Sequence, residues 1–110
     1  MYGYKLDLYE IKRATISASS SGNNTIVSAV TGKKIVVLQL FLSASTAVNA
    51  KFQSGASGTD LMGLAYNPDT GGFVLPYSPA GWFETAAGSL LNLNLSAANA
   101  VGGVLTYIEV

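Results

Sequence analysis

Apolar and polar residues alternate with a period of two along most of the chain, which is the pattern of β-strands. In residues 91–96, three leucines alternate with two asparagines and a serine, so one set of side chains would face a core and the other the outside of a sheet. Clusters of Gly, Pro, Asn and Ser interrupt the pattern at short intervals and predict turns. The strands predicted in this way cover residues 15–17, 25–30, 35–42, 48–53, 60–65, 73–75, 82–85, 90–96 and 104–110.

Eight to ten short strands without a helical segment predict an all-β protein, a small antiparallel β-sandwich of the jelly-roll type. Before the first of these strands, Tyr4, Leu6 and Leu8 alternate with polar neighbours. This alternation suits either an extended arm or an ordinary edge strand. We therefore expect residues 1–14 to form an N-terminal arm or edge strand and residues 15–110 to form one β-sandwich domain.

The run 35–42 is apolar on both of its faces. A helix is the rival interpretation, but its β-branched opening favours a strand. Strict alternation places Val36, Leu38, Leu40 and Leu42 on one face and Ile35, Val37, Gln39 and Phe41 on the other. A strand buried on both sides in a small β domain needs a cover for its second face. We expect another subunit to cover Val37, Gln39 and Phe41, or the opposite face of the same strand.

The amino-acid composition of the chain excludes several classes of function. Charged residues make up 11% of the 110 residues, against roughly 25% in an ordinary soluble domain. The chain has no cysteine and no histidine, which excludes thiolate nucleophiles, catalytic triads built on an imidazole, the usual zinc sites and disulfides. We expect a protein that is not an enzyme, binds no metal and no cofactor, and has much of its surface covered by a partner.

The charges are unevenly distributed, although they sum to zero. All six bases lie in the first 51 residues, and the remaining residues carry four acids and no base. A nucleic-acid binder would keep an uncompensated basic stripe, so no nucleic-acid partner is expected. Pairing within the fold explains the distribution more simply than pairing between subunits.

Two uncharged stretches, residues 35–50 and 85–108, do not qualify as membrane spans. The first is strongly apolar for only eight residues, and the second contains three asparagines and a pair of glycines. Residues 1–5 lack the apolar segment of a secretory signal. We expect a protein without a membrane partner that is made and assembled in a cytoplasm.

Three groups of residues are candidates for binding or chemistry. Trp82, beside Phe83, could be a platform for a sugar ring, although a packed position in the core or a subunit interface is the commoner role of such a ring. The four late carboxylates (Asp60, Asp69, Glu84 and Glu109) are the only candidates for acid/base or calcium chemistry, and the segment 67–71 around Asp69 lacks the spacing of a calcium loop and is more simply a turn. The N-terminal segment combines aromatic, aliphatic and basic residues, as interface anchors do: Tyr2, Tyr4, Leu6, Leu8 and Tyr9, with Lys5, Lys12 and Arg13.

A resemblance adds to these observations. The segments 26–35, 74–77, 81–88, 91–96 and 101–104 resemble small proteins encoded among the structural genes of tailed bacteriophages. The likeness covers about three quarters of the chain and leaves out residues 1–25. It implies a small β-sandwich on the virion, as in head decoration (cement) proteins and short head fibres, which are commonly trimers.

The sequence thus predicts a capsid decoration protein that binds the outer surface of the major capsid protein as a homo-oligomer, expected to be a trimer. Its location would be the capsid surface of the virion, and it would be made and assembled in the host bacterial cytoplasm. Two alternatives remain open: a tail or baseplate component of the same particle, and a carbohydrate-binding module that attaches the particle to a glycan. A packed Trp82 would favour decoration, and an indole open to water would favour glycan binding.

Overall fold

Within residues 8–110, ten strands form two antiparallel sheets. The computed structural model describes residues 8–110, in which no α-helix occurs. The strands are β1 (Lys12–Ala18), β2 (Gly22–Val27), β3 (Ile35–Ala44), β4 (Val48–Ser54), β5 (Thr59–Asp60), β6 (Ala65–Asn67), β7 (Gly72–Leu75), β8 (Phe83–Glu84), β9 (Leu91–Leu95) and β10 (Val101–Glu109).

The connections between the strands are those of a jelly roll. The first sheet has the order β1-β10-β3-β7, with β8 also paired to β3, and the second has the order β2-β9-β4-β5, with β6 also paired to β4. The first four strands alternate between the sheets, and the last two pair with the first two. This wrapping of one end of the chain on the other is the jelly-roll topology. The predicted all-β sandwich is confirmed.

Inward-facing side chains of both sheets form the core. The alternating leucines of β9 are fully buried, as their spacing predicts, and they pack with Leu40, Leu42 and Phe52. Burying one such side chain stabilises a fold by about 1.5–3 kcal/mol. The two sheets are therefore held together mainly by β3, β4 and β9.

A β-bulge in β3 corrects the predicted alternation of this strand. Gln39 is paired with Thr106 and Val37 with Tyr107, which leaves Leu38 as the extra residue. The bulge reverses the faces, so Ile35 and Val37 lie in the core. The prediction that Val37 shares an outer face with Gln39 and Phe41 is therefore wrong.

The opposite face of the first half of β3 is covered by this chain itself. Val36 and Leu38 form a second, smaller apolar cluster with Ile108, and Tyr9 and Val110 pack against it. Gly81 lies close enough to this cluster that a Cβ there would be 2.5 Å from Val36 Cγ1. No second subunit is needed to bury this half of the strand.

Several strand limits differ from the sequence pattern, most clearly at β2, at β5 and β6, and at β10. β2 begins at Gly22, inside the predicted turn, and the single strand predicted for residues 60–65 is two short strands that pair with opposite ends of β4. β10 begins at Val101 and includes Gly102 and Gly103, which the sequence pattern places in the turn before this strand. A Cβ at residue 103 would collide with the carbonyl oxygen of Phe41. This glycine permits close strand contact here instead of breaking the strand.

Candidate interaction surface

A row of apolar side chains crosses the outer face of the first sheet. The strand register places Val104 opposite Phe41 and Phe41 opposite Val74. Phe41 is 49% exposed, Val74 63% and Val104 41%. Isolated exposed apolar residues are common on proteins, but a contiguous group of them marks an interaction site. We call these three residues the apolar row.

A shallow hollow lies along this row. It has a volume of about 160 Å³, and Gln39, Pro76 and Tyr77 line it together with the apolar row. Sites that hold a whole small-molecule ligand measure roughly 300–1,000 Å³. The hollow is therefore suited to one side chain or one ring.

The loop that borders the hollow, residues 76–82, is fixed to β3 by backbone hydrogen bonds. Ser78 N donates to Leu38 O at 2.9 Å, and Trp82 N donates to Val37 O at 2.8 Å. Between them, Gly81 N donates to Ser78 O at 3.0 Å and closes a turn. Gly81 has a φ of +79°, which a residue with a side chain adopts only at a cost. The loop therefore presents its aromatic residues from a fixed backbone.

The side chain of Trp82 is held by a hydrogen bond but is not buried. Its indole nitrogen donates a hydrogen bond to the carbonyl oxygen of Pro76 at 2.7 Å, and the residue remains 45% exposed. Its neighbour Phe83 instead stacks on Phe52 beside the core. The expectation that both rings are packed holds for Phe83 and is wrong for Trp82 in the single chain.

The outer face of the second sheet is polar. At its centre Asn92 is wholly buried, and its amide nitrogen donates to Asn23 Oδ1 and to Gln53 Oε1, both at 2.9 Å. Its amide oxygen accepts a hydrogen bond from Asn24 N at 2.9 Å. The sequence pattern predicted an outward-facing Asn92 but not this network, because the partners come from two other strands.

The network continues to a carboxylate at the sheet edge. Gln53 Nε2 donates to Asp60 Oδ1 at 2.9 Å, and Lys51 Nζ lies 3.2 Å from Asp60 Oδ2. The hydrogen bond from Gln53, followed by that from Lys51, lowers the pKa of Asp60 below its ordinary value. Asp60 therefore has a structural role at the end of this hydrogen-bond network.

Charge pairing within the fold is confirmed. In the described part of the chain, three ion pairs each join a base from the first half of the sequence to an acid from the second: Lys12–Glu109 at 2.6 Å, Lys34–Glu84 at 3.2 Å and Lys51–Asp60 at 3.2 Å. The hydrogen bond and the charge of Glu109 raise the pKa of Lys12. Such exposed pairs contribute little to stability individually, but they account for the uneven charge distribution.

The remaining late carboxylate also has a structural partner, because Asp69 Oδ1 accepts a hydrogen bond from Ala47 N at 2.7 Å. Among residues 8–110, no three acidic side chains are grouped in a way that could hold a metal ion. Over the same residues, no helix has the length and apolar content required to cross a membrane.

The predicted N-terminal interface residues are only partly within the described structure. Tyr2, Tyr4 and Leu6 lie outside the described residues. Leu8 is strongly exposed, whereas Tyr9 is half-buried against the small cluster beside β3. Residues 12–14, which we assigned to an arm or an edge strand, belong to β1 at the edge of the first sheet.

The structure thus brings Gln39 and Phe41 together with residues that the sequence did not single out. Val74, Tyr77 and Val104 join them because three separate segments meet at this face. Their contact depends on the register of distant strands, for which the local sequence contains no signal.

Comparison with protein-family models, with curated proteins and with solved structures gives no match to this chain.

Proposed function

We propose that this protein is a non-enzymatic structural component of a tailed-bacteriophage particle, namely a decoration protein on the outer surface of the major capsid protein. It would bind there as a homo-oligomer, expected to be a trimer. The observation that carries the proposal is the contrast between the two outer faces of the sandwich. One face presents the apolar row, and the other presents a satisfied polar network around Asn92.

This contrast supports a protein that works inside an assembly. A free monomer gains nothing from three adjacent exposed apolar side chains, whereas an interface requires an apolar centre. The acidic side chains Asp60, Asp69 and Glu109 are engaged in ion pairs or hydrogen bonds within the fold. The resemblance to small phage structural proteins is the reason for assigning the protein to a phage particle. The jelly-roll fold is compatible with this assignment.

The mechanism follows from mass action. A ligand that binds the assembled shell but not its dissociated subunits stabilises the shell by its binding free energy. A decoration protein that bridges neighbouring capsid subunits is such a ligand. It needs neither a cofactor nor a catalytic group.

The test adds the purified protein to phage heads that lack it. We expect saturable binding with a fixed number of copies per head, and heads that withstand higher temperature once the protein is bound. Labelled protein found on tails instead would favour the tail or baseplate alternative. Heads that neither bind the protein nor change in stability would contradict the proposal.

The N-terminal segment is the proposed contact with the capsid. A variant that lacks residues 1–7 keeps Tyr9, which packs against Val36 and Leu38, so its domain should remain folded. We expect this variant to lose head binding. A deletion through Lys12 is a poorer test, because it also removes Tyr9 and the ion pair with Glu109.

A second candidate function is carbohydrate binding, which the exposure of Trp82 favours. The hydrogen bond to Pro76 O fixes the indole and leaves part of the ring open to water, as stacking on a pyranose ring requires. A glycan array with the intact protein and its Trp82→Ala variant tests this function. Retention of a glycan that the variant loses would favour it over decoration.

A further inference from the structure

We infer that a second copy of this chain covers the outer face of the first sheet, over the apolar row, Tyr77 and Trp82. Tyr77 lines the same hollow as the row, and the indole of Trp82 is hydrogen-bonded to Pro76, another residue that lines it. We call the apolar row, Tyr77 and Trp82 the self-association surface. The inference rests on the proposed function for its biological setting, but the observations that carry it concern the surface itself: its area, its lack of charge and the sheet edge at which it ends.

The area of this surface matches what an interface requires. Tyr77 and Trp82 are 50% and 45% exposed, close to the 49% of Phe41. Aromatic side chains offer roughly 150–250 Å² each, so these three rings and the two valines expose on the order of 450 Å². A standard interface covers about 800 Å² on each partner, a little over half of it apolar. The surface is therefore large enough for the apolar part of one such contact.

The chemistry of this surface is compatible with an identical partner. Its five side chains are two valines and three aromatic residues, without a formal charge. In a closed homo-oligomer the same residues recur near the symmetry axis, where like charges would repel. Recognition of a different protein, by contrast, commonly relies on complementary charges. A neutral apolar surface therefore favours a second copy.

The edge of the sheet at this surface points to the same partner. The opposite edge strand, β1, carries Lys12 and Arg13, and charged residues of this kind prevent edge strands from associating. At the near edge, β7 consists of Gly72, Phe73, Val74 and Leu75. β7 therefore carries no charge that would prevent association beside the apolar row. The charged residue of this edge, Glu84 of β8, pairs with the other end of β3 and forms an ion pair with Lys34.

The test measures the mass of the purified protein in the absence of any phage particle. Light scattering and sedimentation should give a multiple of 11.4 kDa for the unaltered chain. The Val74→Lys variant should be folded by circular dichroism, yet need about tenfold or more protein to associate, because its charge would be buried in the contact. Tyr66→Lys is the matched control, since Tyr66 is 76% exposed on β6 of the second sheet. It should associate like the unaltered chain.

The tryptophan supplies an independent measurement, since Trp82 is the only one in the sequence. Its fluorescence should move to longer wavelength when the oligomer is diluted to monomers, because the ring gains contact with water. An unaltered chain that is monomeric at micromolar concentration would overturn the inference, as would association that Val74→Lys leaves unchanged or that Tyr66→Lys weakens equally. Because head binding is measured separately, failure here is distinguishable from failure of the decoration proposal.

Discussion

Phe83 stacks on Phe52, with ring centroids 5.4 Å apart and an angle of 29° between the ring planes. Phe52 is fully buried and Phe83 partly so, and the pair joins the β8 end of the first sheet to β4 of the second. Replacement of Phe83 by alanine should lower the free energy of unfolding by about 3 kcal/mol, the low end of the range for a large aromatic side chain. Urea unfolding followed by circular dichroism measures this change.

Trp82→Ala is the natural comparison. Trp82 is about half exposed, and its indole is hydrogen-bonded to Pro76 of the same surface loop. We therefore expect the free energy of unfolding to fall by only about 1 kcal/mol. The full cost of emptying a buried aromatic site, which a packed Trp82 would predict, no longer applies to the single chain. Equal losses for the two variants would show that Trp82 contributes to the fold as much as Phe83 does.

The buried amide of Asn92 provides a second prediction. In Asn92→Asp, a carboxylate oxygen would face the acceptor oxygens of Asn23 and Gln53 in place of the donor that now binds both. An unpaired buried charge of this kind should destabilise the fold by about 3 kcal/mol or more at neutral pH. The loss should shrink in acid, where the carboxyl takes up a proton and regains a donor.

Asn94→Asp is the matched control for this variant. Asn94 lies two residues further along β9 on the same face but is only partly buried. The change in the free energy of unfolding should stay within about 0.5 kcal/mol, as at most surface positions. Similar losses at both positions would contradict a special role for the Asn92 network.

The order of the elements was largely predictable, because hydrophobic alternation and turn residues are local signals. The leucines of β9 illustrate this, since their spacing alone places them in the core. Strand β3 shows the limit. Its bulge at Leu38 depends on the pairing of Gln39 with Thr106 and of Val37 with Tyr107, which are distant in the sequence, and no pattern within residues 35–42 encodes it.

The candidate site was less predictable than the fold. Phe41 and Gln39 were expected on an outer face, and they are there, but Val74 and Val104 become their neighbours only through strand register. Trp82 was singled out by its rarity, yet its exposure depends on how residues 76–82 attach to β3. Contacts between distant segments determine both features.

Acid stability should depend on Asp60. Hydrogen bonds from Gln53 and Lys51 lower the pKa of this carboxyl in the folded state. A lowered pKa means that the carboxylate stabilises the fold above its ordinary value of 3.8, and that this contribution is lost as the pH falls through the lowered value. Asp60→Asn should therefore flatten the decline of the free energy of unfolding below about pH 4.

Asp69→Asn controls for the change in net charge, since it removes one negative charge at a position where the partner is the backbone amide of Ala47. Urea titrations between pH 2 and pH 7, spanning the ordinary carboxyl range, compare the two variants. If both variants flatten the acid-induced decline in the free energy of unfolding equally, general charge repulsion governs acid stability. The hydrogen-bond network from Asn92 through Gln53 to Asp60 would then have no special part in it.

The adjacent glycines of β10 give the last prediction, because they occupy different environments. A Cβ at Gly103 would collide with the carbonyl oxygen of Phe41 on the neighbouring strand, whereas a Cβ at Gly102 would have Ile16 O as its nearest neighbour at 3.9 Å, an ordinary contact. Gly103→Ala should therefore force β10 and β3 apart and cost about 1–3 kcal/mol, as overpacking does. Gly102→Ala should be neutral or stabilise the fold by about 0.5 kcal/mol, because the unfolded chain loses freedom. Thermal unfolding of the two variants measures the difference, and equal stabilities would mean that the glycine pair serves only to loosen the strand.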